Sequence, residues 1–399
     1  MPVAEALARV LADAKPLASE NVPLKQATGR VLTQDITALR TQPPLNVSAM
    51  DGYAVRGADV AEAPVTLTLI GEVAAGHPFE GTVGTGEAAR IFTGGVMPAG
   101  ADTVIIQEVT SRHGDKVVIA KSAAVDRNVR QQGIDFAEGS VLLRRGQRLT
   151  DRDVMLAASM NHPVLPVHRR PRVAVLGTGD ELVAPGTTPS EGQIVYSNGF
   201  ALMAMAEGEG AEVLDLRIVP DRLPDIARAV RGARQWGADI LATTGGASVG
   251  EHDLVQKALK EEGLALDFWR VALRPGRPMM HGRLGAMQVL GLPGNPVSAY
   301  VCAFLFLVPL IRRLAGRADA ERVPEPARLG CLLKANDERQ DYVRATLVQT
   351  PDGPVATPLP DQDSSLMAPL AAADCLLIRP PNAPAADPGS PCVILKLAL

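Results

Sequence analysis

Residues 243–253, TTGGASVGEHD, contain a literal G-x-S-x-G with Ser248 at its centre. Two chemistries fit such a segment. A nucleophile elbow sets a serine on a sharp strand-to-helix turn and needs an acid and then a histidine further along the chain. A phosphate cradle needs only backbone N–H groups bared by small residues. Downstream of Ser248 stand only His252 and His281. His252 is too local for the usual triad, and His281 would have to reach in from a stretch rich in arginine and proline. The cradle reading is favoured: Gly245, Gly246, Ser248 and Gly250 offer unhindered donors, and Ser248 is a cradle residue, not a nucleophile.

Three other apolar runs end in the same way. VAVL leads into Gly177, Gly179, Asp180 and Glu181; DLRIV leads into Pro220 and Asp221; MQVLG leads into Pro293, Gly294, Asn295, Pro296 and Ser298. Open parallel sheets bind ligands beyond the carboxyl ends of their strands, so the four exits point to one site. Leu182 stands where a dinucleotide fingerprint needs its third glycine, which argues against NAD. Asp180, Asp221 and Asp253 each have the plainer reading of a cap or a solvated loop carboxylate. Together, carboxylates from several strand ends can converge on Mg²⁺, which takes oxygen ligands and often binds through one or two carboxylates plus substrate phosphate. Asn295 is placed to cap a helix and Pro296 to open it, and an exposed helix N-terminus attracts anions. The loop RVALRPGRP carries Arg270, Arg274 and Arg277. It is either a solvated basic turn or an oxyanion site, and the bidentate fork of arginine favours the second.

Chemistry at strand ends requires a sheet. From Pro171 onward, RVAVLG, EVLDLRIV, ADILATTGG and AMQVLGLPG alternate with helical patterns, which predicts a doubly wound, mostly parallel α/β sheet. Val3, Leu7, Val10 and Leu11 fall on one face of an N-terminal helix that reaches about Ala14. Short β-type runs recur from Val65 to Leu142, a cap-like Thr150 and Asp151 open another helix, and after Arg322 proline-rich short strands form a small β-domain.

Composition narrows the function. The 399 residues are 46% apolar and 21% charged, the balance of a soluble globular chain. Aromatics are only 3%, too few for the stacking platforms of a single-stranded nucleic-acid binder. A net charge of -4 supplies no field toward nucleic acid or an anionic membrane. Cys302, Cys331, Cys375 and Cys392 are scattered without a C-x-x-C, so neither a disulfide framework nor a zinc site is expected. The apolar stretch from Tyr300 is shorter than the ~18 residues of a membrane span and contains Pro309; it reads as a buried helix of a cytoplasmic protein.

Two further motifs lie outside the sheet region. NVSAMDGYAV sets Asp51 in a turn, and RIFTGGVMPAGADTVIIQE sets Thr93 beside Gly94 and Gly95. Taken alone they are turns. In order with GTGDEL, TTGGASVGEHD, RPGRP and GLPGNPVSAY, they span nearly the whole chain, and the sequence resembles the MoeA family of molybdopterin molybdenumtransferases and is similar to the E domain of gephyrin.

The resemblance implies insertion of molybdate into adenylylated molybdopterin with Mg²⁺, releasing AMP and molybdenum cofactor, the last step of cofactor biosynthesis. It implies an elongated homodimer with each site near the subunit interface. The subunit would have four domains: residues 1–44 with 141–169 helical and extended and used for dimerisation, 45–140 β-rich, 170–320 the molybdopterin-binding, MogA-like α/β domain, and 321–399 a small β-barrel-like domain. Implied catalytic residues are Asp51, Thr93, Asp135, Glu181, Asp221, Asp253, Arg270 and Arg274, the last two matching a basic pair that is commonly lysine. Glu181, Asp221 and Asp253 would hold the metal. Gly245, Gly246, Ser248, Gly250, Pro293, Gly294, Asn295, Pro296, Ser298, Arg344 and Ser364 would bind substrate, with Arg270, Arg274 and Arg344 binding molybdate and the pyrophosphate link. Asp363 stands where the family carries glycine. The implied partners are a molybdopterin adenylyltransferase as substrate donor and molybdoenzyme maturation factors, with no nucleic acid and no membrane. The adenylyltransferase step itself, and a scaffold role like that of gephyrin, remain alternatives at this point.

Overall fold

The computed structural model describes residues 1–245 and 254–397. The chain opens with α1 (Val3–Ala12), whose Val3, Ala6, Val10 and Leu11 are buried. That face joins the core of the α/β domain, packing on the long apolar helix described below. Strand β1 (Ser19–Pro23) follows. The β-rich region then contributes β2 (Gly52–Val55), β3 (Val65–Val73), β4 (Glu87–Ile91), β5 (Thr103–Ile106), β6 (Thr110–His113) and β7 (Lys116–Ile119). They form one sheet in the order β5-β2-β4-β3-β7-β6, antiparallel except for β3 with β4. The chain then returns to its start. In α2 (Asp151–Ser159) the Thr150 and Asp153 side chains cap each other's backbone N–H groups, and β8 (Val164–His168) pairs antiparallel with β1.

The α/β domain is built from β9 (Arg172–Thr178), α3 (Asn198–Gly208), β10 (Glu212–Val219), α4 (Leu223–Trp236), β11 (Ile240–Thr244), α5 (Leu254–Glu261), β12 (Ala265–Trp269), β13 (Met280–Leu284) and β14 (Met287–Leu292). Sheet order is β10-β9-β11-β14-β13-β12. The first four strands are parallel, and β13 and β12 add antiparallel at the far edge. Central strands β9, β11 and β14 are buried on both faces, which is why they read as unbroken apolar runs. One face packs on α3 and the helix after β14, the other on α4 and α5. That helix runs from α6 (Pro296–Cys302) through a π-helical stretch, Ala303–Leu307, to α7 (Val308–Leu314). The π turn precedes Pro309, whose missing N–H breaks the ordinary helical ladder. By length and composition the run Pro296–Leu314 could cross a bilayer, yet 83% of its most apolar window is buried inside the protein.

The C-terminal domain contains β15 (Glu325–Leu329), β16 (Gln340–Thr350), β17 (Gly353–Pro358), α8 (Met367–Ala371), β18 (Cys375–Arg379) and β19 (Pro391–Lys396). Their order, β16-β17-β15-β19-β18, closes through a β18–β16 pairing into a five-stranded barrel. Leu273 and Arg274 pair in parallel with Gln340 and Asp341, which joins the barrel to the α/β domain, and α8 packs on α6. Within the α/β domain, buried Glu209, at the end of α3, accepts from Arg312 at 2.8 and 2.6 Å and from Arg317 at 2.6 Å.

Candidate functional site

Parallel register puts Gly177 beside Thr244, and Thr244 beside Leu292, so three of the strand exits lie abreast. They floor a cavity of about 480 Å³ whose wall includes Thr178, Glu181, Tyr196, Gly245, Gly294 and Asn295. Gly245 has φ +89°, and a Cβ there would lie 2.5 Å from the Thr178 carbonyl oxygen, so only glycine fits this exit. Among the described residues the Thr178 hydroxyl is buried at this cavity without a hydrogen-bond partner, unusual for a buried polar group and an invitation to a polar ligand. Burial pushes the Tyr196 phenol upward, so it is a neutral donor at neutral pH.

The N-terminus of α6 faces the same space. Pro296 opens the helix, and Asn295 does not cap it: its amide donates instead to Ser364 Oγ at 2.9 Å. Val297 N–H donates to the Ser364 carbonyl at 3.0 Å. Asn198 holds the loop from the other side, donating to the Gly294 carbonyl at 2.7 Å. Ser298 is buried behind this first turn.

Asp180, Glu181 and Asp221 form the acidic side. The Asp221 N–H donates to Asp180 Oδ1 at 3.1 Å. Burial, and then the charges of Asp180 and Glu181, raise the Asp221 carboxyl above its ordinary value. Crowded negative charge of this kind is what a cation relieves. Among the described residues, no three acidic, histidine or cysteine side chains are grouped closely enough to enclose a metal ion. Gly246, Ser248, Gly250 and Asp253 lie outside the described residues.

The basic loop divides its labour. Arg274 donates to Asp337 at 3.1 Å, to Asn336 at 3.0 Å and to Asp341, tying the loop to the barrel. Arg270 sits in the left-handed region at φ +79° and lies over the Trp269 ring. Arg277 is exposed, and among the described residues its guanidinium has no partner. Arg344 is buried, with 1% exposure. Its guanidinium donates to the carbonyls of Leu366, Asp361 and Asp363 at 2.8, 3.2 and 2.9 Å and to the Gln362 side chain at 3.4 Å. The geometry therefore departs from the expectation of Arg344 as a direct anion ligand: its donors point into the 361–366 loop, which it shapes. That loop carries Ser364 against α6 and Ser365 into the cavity wall. Asp363, the departure from glycine, accepts from the Ser365 N–H and hydroxyl at 2.8 and 2.6 Å, which holds its carboxyl below the usual range.

Asp51 and Thr93 meet at one end of the neighbouring interior strands β2 and β4, where Gly52 pairs with Ile91. Asp135 is exposed, and its N–H donates to the Gln42 carbonyl at 3.1 Å. Among the described residues no hydrogen bond or ion pair joins any of the three to the strand-end cavity. Tyr196, Asn198, Thr244 and Ser365 were not singled out from sequence; the YSN triplet before α3, a hydroxyl and amide just ahead of a helix, was the available signal.

Comparison with known proteins gives three adjoining matches. Residues 1–161 match the MoeA N-terminal region, domains I and II; residues 174–313 match a probable molybdopterin binding domain; residues 326–397 match the MoeA C-terminal region, domain IV. A molybdopterin molybdenumtransferase of Haemophilus influenzae is 36% identical over 331 residues, 82% of this chain and 81% of that protein. One from Bacillus subtilis is 33% identical over 388 residues, covering 95% and 90%. The solved structure of a molybdopterin biosynthesis MoeA protein from Pyrococcus horikoshii superimposes with a TM-score of 0.82 at 29% identity, covering 99% of each chain.

Proposed function

The chain belongs to the MoeA family, and from that premise we propose that it is a molybdopterin molybdenumtransferase, taking adenylylated molybdopterin and molybdate to molybdenum cofactor and AMP. The observation that carries this reading is the convergence of three strand exits, the α6 N-terminus and the Glu181 carboxylate around one cavity of about 480 Å³. Such chemistry depends on positioning and charge neutralisation.

Each group has a task in this reading. The Gly245 and Gly294 backbone and the first turn of α6 cradle the phosphate. Thr178 supplies a hydroxyl with no other partner among the described residues, and Tyr196 a neutral phenol. Arg277 offers an unengaged fork to molybdate, while Arg274 and Arg344 position the loops around it. Glu181 and Asp221 supply hard oxygen donors of the kind Mg²⁺ takes together with substrate phosphate, with Asp253 added by resemblance. When bound, that ion would neutralise phosphate charge as the anhydride breaks.

Asp51, Thr93 and Asp135 enter from a second copy of the chain. Leu45, Met50 and Ile134, which lie around them, are 52, 42 and 67% exposed, an apolar surface suited to a homodimer interface. A cytoplasmic location, a molybdopterin adenylyltransferase as donor and onward transfer to molybdoenzyme maturation factors complete the proposal. The decisive test is AMP release from adenylylated molybdopterin with Mg²⁺. Release that requires molybdate and is lost in Asp221→Ala supports the transferase; tight binding without turnover refutes it.

A further inference from the structure

Arg90, half-buried on β4, has no ion-pair partner among the described residues. Its guanidinium is held by two rings instead, 5.2 Å from the centre of Tyr53 and 4.8 Å from that of Phe92. Both lie inside the ~6 Å reach of a cation on a ring face. Nη1 donates to the Gly52 carbonyl at 3.2 Å and Nη2 to Gln107 Oε1 at 2.7 Å. Three segments are stitched together there: the entry to β2, the exit of β4 and the turn after β5.

All three lead to Asp51. Its carbonyl accepts the Gln107 N–H at 3.1 Å, and the next carbonyl along the chain, that of Gly52, is the one Arg90 holds. Its carboxylate is held by Thr93, three residues beyond Arg90. Gly52 has no slack: a Cβ there would stand 1.9 Å from the Ile105 carbonyl oxygen. The network is rooted in buried Tyr53, opposite Arg90 in the ladder, and ends at exposed Thr93. Ordering a long arginine side chain costs entropy, which the rings and the fork offset. What the clamp secures is the aim of Asp51.

We infer that Arg90 is a positioning residue for the transferase reaction: clamped by Tyr53 and Phe92, it fixes the backbone that carries Asp51 and so the direction of that carboxylate. The inference rests on the transferase reading and on the place of Asp51 in it. A misplacement of about 1 Å can cost on the order of a hundredfold in rate, so a residue that touches no substrate can govern turnover.

The test uses full-length Arg90→Met, Arg90→Lys and Gln107→Leu, each shown to be folded by its melting transition. Gln107 is exposed, so its variant folds even where an Arg90 variant does not, and it keeps the backbone donor to Asp51. Molybdate-dependent AMP release is measured against the concentration of adenylylated molybdopterin. Arg90→Met should lower kcat about tenfold or more with KM unchanged, because neither Arg90 nor Asp51 lines the strand-end cavity. Gln107→Leu should lower kcat about threefold alone and add nothing in the Arg90→Met background, since the two residues act as one unit. Lysine reaches one acceptor at a time, so Arg90→Lys should stay well below wild type. Wild-type kcat in folded Arg90→Met or Gln107→Leu assigns the cluster to stability alone and overturns the inference. A raised KM puts Arg90 on the substrate, and full rescue by lysine makes the charge sufficient; either overturns the clamp. A wild-type protein that releases no AMP refutes the transferase reading and this inference with it, whereas normal release by wild type beside unimpaired variants refutes this inference only.

Discussion

Thr93 donates both its backbone N–H and its hydroxyl to a single oxygen of Asp51, Oδ1, each at 2.7 Å. The two donors, with little burial to oppose them, hold the Asp51 carboxyl below its ordinary value. The residues are 42 positions apart, and neither lines the strand-end cavity of its own chain. A carboxylate kept ionised and aimed outward is arranged for something brought to it, and the second subunit is the proposed source.

The first prediction follows from that geometry. Asp51→Ala and Asp221→Ala should each be inactive as homodimers. Mixed by unfolding and refolding together, half the dimers carry both substitutions on opposite chains and regain one intact site. The mixture should recover roughly a quarter of wild-type activity. A mixture as inactive as its parents would place both residues in a site within one subunit. Thr93→Val keeps the backbone donor and removes the hydroxyl, so the Asp51 pKa should rise partway toward 3.8, read from its carboxyl carbon shift against pH. A depressed carboxylate contributes stability above its unfolded pKa and loses it as pH falls, so the variant should be less stable than wild type at neutral pH and converge with it in acid.

What was legible in sequence has a physical boundary. Strands β9, β11 and β14 are buried on both faces, and burial of that kind forces apolar residues on every position. The glycine at 245 is demanded by its own backbone angle and by the Thr178 carbonyl, both local causes. The edge strand β12 has no place among the strands expected from sequence, because three of its five residues are exposed and the apolar signal is diluted. The Asp51–Thr93 contact is an antiparallel register, invisible without knowing that β2 lies beside β4. The partners of Arg274 and Arg344 are distant in sequence, so motif matching alone leaves their charges looking free when their geometry is engaged.

That distinction separates two arginines three residues apart. Arg277→Ala removes an exposed guanidinium with no partner, so stability should change by no more than about 0.5 kcal/mol. The molybdate concentration for half-maximal AMP release should rise about tenfold or more if the fork binds the oxyanion. Arg274→Ala breaks contacts to Asn336, Asp337 and Asp341 and should lower the melting temperature as well. The Asp337 carboxyl, now held at about 2 mainly by Arg339, should remain depressed in that variant. Equal effects of the two alanine variants on melting would show that the loop does not dock through Arg274.

Arg344 should behave as a positioning residue. Three carbonyls and a side-chain amide oxygen surround its buried guanidinium. Burial disfavours its charge, which those acceptors and the charges of Asp361 and Asp363 help to hold. Arg344→Met leaves these acceptors unsatisfied and should cost at least about 2 kcal/mol of stability in denaturant melts. Arg344→Lys keeps the charge but cannot span the acceptors, so it should rescue little of that loss. Full rescue by lysine would show that the charge alone matters, as a direct anion ligand would require.

Asp221 offers a readout independent of turnover. Its raised pKa means that the folded protein holds this proton more tightly than the unfolded chain does. The sign is the reverse of the Asp51 case: stability is fully present below the unfolded pKa and is lost as pH rises through the folded one. At neutral pH the ionised Asp221 therefore opposes folding, through its burial first and then its repulsion with Asp180 and Glu181. Asp221→Asn removes that repulsion, so without metal the variant should melt slightly higher than wild type, even though it is expected to be inactive. Millimolar Mg²⁺ should raise the wild-type melting temperature at neutral pH, raise it less as the carboxylates protonate in acid, and leave Asp221→Asn nearly unchanged. A variant stabilised by Mg²⁺ as much as wild type would remove Asp221 from the metal site and leave its raised pKa to burial and the crowding of Asp180 and Glu181.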